Sequence, residues 1–131
     1  MIDVVPFKAE HALLLDPQPE QGYEVVLPED ALERERDDAW TLLEDGLPIA
    51  CGGVDASGWT WGLLSSAARR RMLVVHTAVR RMLSRYAGQR LTLYADVEFE
   101  AAHQWARLLG FHPAGATKIR PGKDATIYQR G

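Results

Sequence analysis

The chain has 131 residues, 47% of them hydrophobic and 25% charged, which supports one core, leaves too little for two, and excludes a disordered tail or a collagen-like chain. No apolar run approaches the roughly 18 to 20 residues that span a bilayer, and the opening MIDVVPFKAEH has no basic segment followed by a long apolar stretch, so neither secretion nor membrane insertion is expected. A single cysteine, Cys51, allows neither an internal disulfide nor a CxxC zinc site. A single domain over 1–131, held by packing in a reducing compartment, is the expectation. The formal net charge is only −3, but the sign is divided along the chain. Up to Ser65 there are 3 basic and 14 acidic residues; after it there are 12 basic and 4 acidic. The halves either pack on each other or present opposite charge to different partners.

In chain order, IDVVPF is β-rich, and Pro6 suits an edge strand or a strand end. KAEHALLL, residues 8 to 15, reads as a short helix stopped by Asp16-Pro17-Gln18-Pro19. From Pro28, PEDALERERDDA reads as a mostly solvated helix with Glu29 and Asp30 at its favourable acidic start. WTLLEDGLPIACGGV and GWTWGLLS are short apolar runs broken at Asp45-Gly46, Gly52-Gly53 and 55–58, the pattern of an antiparallel meander. Alternation puts Trp59 and Trp61 on one strand face, either as core or as aromatic anchors of an interface.

Ala67 to Tyr86 is the longest periodic segment, with Met72, Val75, Val79, Met82, Leu83 and Tyr86 on one stripe and Arg69, Arg70, Arg80, Arg81 and Arg85 largely off it. Such an amphipathic helix would lie against a sheet and end at Gly88. LTLYADV, residues 91 to 97, reads as a strand, and Glu98 to Leu109 as a helix stopped by Gly110. After Phe111 a polar, basic loop is expected through Arg120-Pro121-Gly122-Lys123, then a final strand ATIYQR, so that one or two strands follow the last helix. The order implies a mixed α/β fold with helices on a largely antiparallel sheet.

Several chemistries are missing. His11, His76, His103 and His112 show no HExxH or paired-ligand spacing, so no metal site is expected. Cys51, beside Gly52-Gly53 in a strand, reads as a buried thiol. There is no GxSxG, Walker loop or dinucleotide fingerprint. Arginines of the basic half could contact a phosphate backbone, but the compensating acidic half and the lack of a recognition motif argue against nucleic acid.

The element order and the string AAHQWARLLGF after a strand resemble the GCN5-related N-acetyltransferase (GNAT) superfamily. The wider combination is GLPIACGG, a tryptophan strand ending in LLSS, an Arg-rich helix, AHQWARLLGF and a final IYQR. It is similar to small GNAT-like proteins of tailed bacteriophages, including the family of a minor internal virion protein of short-tailed phages. The resemblance implies a central, mostly antiparallel twisted sheet flanked by helices, and an acetyl-CoA site.

In that superfamily a Q/R-x-x-G-x-G/A loop at the start of the long helix cradles the coenzyme A diphosphate on backbone N–H groups. With Arg69 in the Q/R place, the glycine places fall on Met72 and Val74, and no glycine lies between Gly62 and Gly88. Ser65 and Ser66 could offer hydroxyls instead, and Arg69, Arg70 and Arg71 charge-assisted bonds; the same residues also read as an ordinary helix cap and a solvated or partner-facing helix start. Backbone of Leu63 and Leu64 would pair with the pantetheine arm. The resemblance also implies a tyrosine acid four residues before the Gly-Phe turn, where Ala106 stands here; Tyr94 and His103 are the candidate proton-handling substitutes.

The resulting expectation is a bacteriophage GNAT-fold protein with a degenerate acetyl-CoA site. It would act in virion assembly or as a minor virion structural protein, bound to other virion proteins, in the particle or the host cytoplasm; a homo-oligomer stays open. The alternative is an acetyl-CoA-dependent N-acetyltransferase acting on a protein or small-molecule amine.

Overall fold

The computed structural model describes residues 2–15, 32–97, 100–120 and 123–131. They divide into two compact units, 1–82 and 83–131.

The first unit carries an antiparallel sheet in the order β1-β2-β3-β4, formed by Ile2–Pro6, Asp38–Glu44, Leu47–Val54 and Thr60–Leu64. The Asp45-Gly46 turn joins β2 to β3 with φ of 50° and 85°, the double left-handed geometry for which Asp-Gly is suited. A register shift at Leu42/Leu43 brings Leu43 opposite Pro48, so the proline sits at an irregularity where its missing N–H is tolerated. Pairing sets Thr41 opposite Cys51 and Cys51 opposite Leu63, and this face meets the short helix α1, Ala9–Leu14. Phe7, Leu15, Cys51 and Leu63 form the core beneath it, with Ala12, Ala39 and Trp61 packed around. Burial pushes the Cys51 thiol up to about 12, which leaves it an inert packing group. His11 of α1 reaches into the sheet, its Nδ1 2.8 Å from the Thr41 hydroxyl and 3.1 Å from the Lys8 amide that donates to it. At Gly53 a Cβ would lie 2.6 Å from that of Ala39, so β2 and β3 can approach only over a glycine.

After β4 the chain turns directly into a helical run: a 3-10 segment, Ser66–Arg71, continues into α2, Met72–Leu83, and closes in a 3-10 turn, Ser84–Tyr86. The expected long helix is therefore present, with its first six residues wound more tightly.

The second unit has an antiparallel sheet in the order β5-β7-β6, from Leu91–Asp96, His112–Arg120 (β6) and Lys123–Arg130 (β7). Helix α3, Glu100–Leu108, lies against β5. It ends as the sequence predicts: Gly110 takes φ of 91°, its amide donates to the Arg107 carbonyl, and the Phe111 amide donates to that of Ala106. These are the two bonds of a Schellman motif, and Ala106 and Phe111, both buried, supply its hydrophobic contact.

Two expectations are corrected. Residues 112–120 are not a polar loop but the edge strand β6; its side chains at 112–116 and 118 are exposed, so no apolar alternation announced it, and cross-strand pairing with β7 holds it. The solvated helix expected from Pro28 is helical only at 32–34 among the described residues, and β2 begins already at Asp38; the pull of strand pairing with Val54 and Gly53 outweighs the helix propensity of Asp38 and Ala39. Residues 28–31 of that expectation lie outside the described residues. No helix among the described residues is long and apolar enough to cross a membrane.

Candidate functional site

The junction between β4 and the helical run gathers seven of the residues singled out from the sequence. Leu63, Leu64 and Ser65 are buried. The Ser65 amide donates to the Ile49 carbonyl at 2.8 Å, extending the β3–β4 pairing by one rung, and the Ser65 carbonyl accepts the Ala68 amide at 3.0 Å, opening the helix. Ser65 is the N-cap by backbone conformation, but its side chain makes no cap hydrogen bond. Ser66 and Ala67 are exposed and Ala68 is fully buried.

The three arginines are not equivalent. Arg69 and Arg70 are exposed, whereas the Arg71 guanidinium forms an ion pair with Glu44 at the end of β2. Arg71 thus ties the helix start to the β2–β3 hairpin, a structural use of one of the charges expected to meet phosphate.

Geometry decides how far this junction fits a coenzyme A diphosphate. A backbone cradle needs successive N–H groups turned outward and no side chain in front of them. Here residues 66–71 are wound into a 3-10 helix that runs without a break into α2, so their amides beyond the first turn are spent on carbonyls three residues back. Every position from Leu63 to Ala87 carries a side chain. The residues do not fit the diphosphate in the glycine-cradle manner.

In the second unit the two proton-handling candidates are separated. Tyr94 on β5 is 44% exposed. His103 on α3 is buried, its Nδ1 2.8 Å from the hydroxyl of Tyr128, with the rings edge to face at 5.5 Å. Tyr128 stands opposite Leu93 across the β5–β7 pair, so it shares the face of Leu93, and alternation turns the neighbouring Tyr94 to the other face. Tyr94 and His103 therefore lie on opposite sides of the three-stranded sheet and cannot form one acid–base pair. His103 packs the core, with Tyr128 only 1% exposed; Tyr94 is the candidate open to a substrate. Ala106, in the place of the family's tyrosine, is buried at 2% exposure.

The tryptophan strand holds a cluster that sequence spacing did not reveal. The Arg34 guanidinium stacks 4.1 Å from the Trp59 ring centroid and 5.6 Å from that of Trp61. The Trp61 indole N–H donates to Asp37 at 2.9 Å, and the ring meets Phe7 edge to face at 5.2 Å. Trp59 and Trp61 do share a face, as alternation requires, and Trp61, half-buried, packs against the core. Arg34 lies more than 20 residues away in the sequence, within the acid-rich stretch, and no periodicity connects it to the strand. Asp55 shapes the β3–β4 turn, accepting from the Ser57 amide and hydroxyl and the Trp59 amide. Burial opposes ionisation of this carboxyl, but these bonds together hold its pKa below the usual range.

Neither a family model nor a curated protein sequence matches the chain. Solved structures do. The ribosomal-protein-S18-alanine N-acetyltransferase of Escherichia coli superposes with a TM-score of 0.77 at 16% identity, over 99% of this chain and 93% of that one. Ard1 of Thermoplasma volcanium gives 0.78 at 13% identity, over 98% and 96%. The chain has the GNAT acetyltransferase fold. A GNAT-family acetyltransferase from Bordetella pertussis agrees, with a TM-score of 0.76 at 15% identity over 99% of this chain and 95% of that one. At these identities the likeness concerns the GNAT fold and not the chemistry of individual residues.

Proposed function

We propose that this GNAT-fold chain transfers an acetyl group from a thioester to an amine, acting as an N-acetyltransferase on a protein or small molecule. The observation that carries the reading is the match, over nearly the whole of this chain and of the structures compared with it, to proteins described as acetyltransferases. Acetyl-CoA is the thioester such a fold implies. In the first unit the strand β4 would pair with the pantetheine arm through the backbone at Leu63 and Leu64; in the second unit, taken by itself, Tyr94 is the exposed proton-handling candidate. The glycine cradle has no counterpart, and no step of the chemistry is assigned to a held diphosphate.

The test is release of free thiol and acetylation of an amine pool, with acetyl-CoA and with acetyl-pantetheine as donors. Turnover well above the uncatalysed rate, reduced roughly tenfold to ten-thousandfold in Tyr94→Phe, supports the reading. A background rate with both donors contradicts it.

A second reading is favoured by one observation, the combined absence of the glycine cradle and of a tyrosine at Ala106. In it the fold serves as a scaffold without chemistry, in bacteriophage virion assembly or as a minor virion structural protein; its phage setting comes from the sequence resemblance alone. Recovery of the chain in purified particles together with a background transfer rate would favour this reading over the first.

A further inference from the structure

The helical run that should begin with a phosphate cradle carries instead a one-sided basic stripe. Arg70, Leu73, Thr77 and Arg80 follow one another at spacings of three and four residues, which places them on one helix face, and all four are exposed. Leu73 is the most exposed large apolar residue described, at 81%. No Asp or Glu occurs between Asp55 and Asp96, so the helix supplies no acidic neighbour of its own. Among the described residues neither Arg70 nor Arg80 forms an ion pair, whereas Arg71 is turned to Glu44.

We infer that this stripe docks an acidic carrier protein that bears the acyl group on a phosphopantetheine arm, so that the donor is a carrier-bound thioester and not a free nucleotide thioester. The inference rests on the acyl-transfer reading above. Two independent features meet in it. A carrier-linked phosphopantetheine has a single phosphodiester and no diphosphate, so it needs no glycine cradle, and none is present. A carrier of this kind must instead be gripped through its protein surface, and an exposed stripe with arginines about an apolar centre is complementary to an acidic surface with an apolar patch. Leu73 at the middle favours a protein over a nucleic acid backbone, which offers no apolar partner there. The chemistry is balanced without further reactants. The amine nitrogen bonds to the thioester carbonyl carbon, the carbon–sulfur bond breaks, and the amine proton passes to the pantetheine sulfur, leaving an amide and a carrier thiol.

The experiment compares transfer and binding with an acetyl-loaded bacterial acyl carrier protein and with acetyl-pantetheine. The intact chain is set beside Arg80→Glu and Leu73→Ala, neither of which alters a residue assigned to the thioester or to proton handling. The expected result is tenfold or greater preference for the carrier at low salt, lost in Arg80→Glu, weakened in Leu73→Ala and reduced by added salt, with transfer from acetyl-pantetheine and the melting temperature unchanged. Equal use of carrier and acetyl-pantetheine, or carrier binding indifferent to Arg80→Glu, overturns the inference and leaves the acetyltransferase reading standing. No transfer from any thioester removes both. Tight binding of a DNA duplex that Arg80→Glu abolishes, without carrier binding, assigns the stripe to nucleic acid and likewise overturns it.

Discussion

The start of the long helical run and the end of α3 obey the same backbone chemistry in opposite ways. At the end of α3, Gly110 takes the left-handed position, two capping bonds close the helix and Phe111 seals it. At the start of the run, after β4, there is no glycine, no side-chain cap bond and no cradle, and a 3-10 turn carries the chain straight on. Where the helix end only has to hold the fold, the residues are those that capping requires. Where the glycine cradle expected from the sequence resemblance would stand, the chain keeps a continuous helix with a side chain at every position. The first end carries the residues that capping requires, and the second carries none of the glycines that a backbone cradle requires.

This contrast can be broken by mutation. Phe111→Ala, at 1% exposure, should cost about 3–5 kcal/mol, read as a fall in the denaturation midpoint; a change under about 1 kcal/mol would mean that the α3 end is not sealed as described. Tyr128→Phe removes the buried bond to His103 and should cost about 1–3 kcal/mol, with far-ultraviolet dichroism unchanged. Gly110→Ala, forced into φ of 91°, should cost about 1–2 kcal/mol. By contrast Ser66→Ala, exposed at the head of the 3-10 turn, should move stability by no more than about 0.5 kcal/mol; a loss comparable to Gly110→Ala would show that the two helix ends are secured alike.

A pH effect sharpens the account of the first unit. Burial, the largest cause, holds the His11 pKa below its ordinary value, against smaller opposing influences of nearby carboxylates. Its Nδ1 accepts from the Lys8 amide, a role the protonated ring cannot fill. The folded state therefore binds the proton less readily than the unfolded chain. The stabilisation is complete above the ordinary imidazole value of about 6.5 and is lost as pH falls from there through the lowered folded value. Melting temperature should fall over that range in the intact chain and more weakly in His11→Asn; an identical fall in both would remove His11 as the cause.

Much of the architecture was legible because local signals agreed with tertiary ones. The Asp45-Gly46 turn, the Met72–Leu83 stripe and the Gly110 stop each carry their own backbone reason. β6 was not legible, because an exposed edge strand needs only a partner's hydrogen bonds and shows no apolar period. The helix expected through Asp38 and Ala39 failed because pairing with β3 is decided far along the chain. At the candidate site, the missing glycines were visible at Met72 and Val74. That Arg71 is engaged by Glu44, that Arg34 covers Trp59, and that Tyr94 and His103 face opposite ways were not visible. Each depends on strand register or on partners distant in sequence, which composition does not encode.

The most direct test of the lost cradle is calorimetric titration of the chain with acetyl-CoA and with acetyl-pantetheine, which lacks the diphosphate and the nucleotide, at low and high salt. The account predicts affinities within a few-fold of each other once salt has screened Arg69 and Arg70. A salt-resistant preference for acetyl-CoA of a hundredfold or more, about 2.7 kcal/mol, would contradict it, because only a backbone cradle or an equivalent site could hold the diphosphate so firmly.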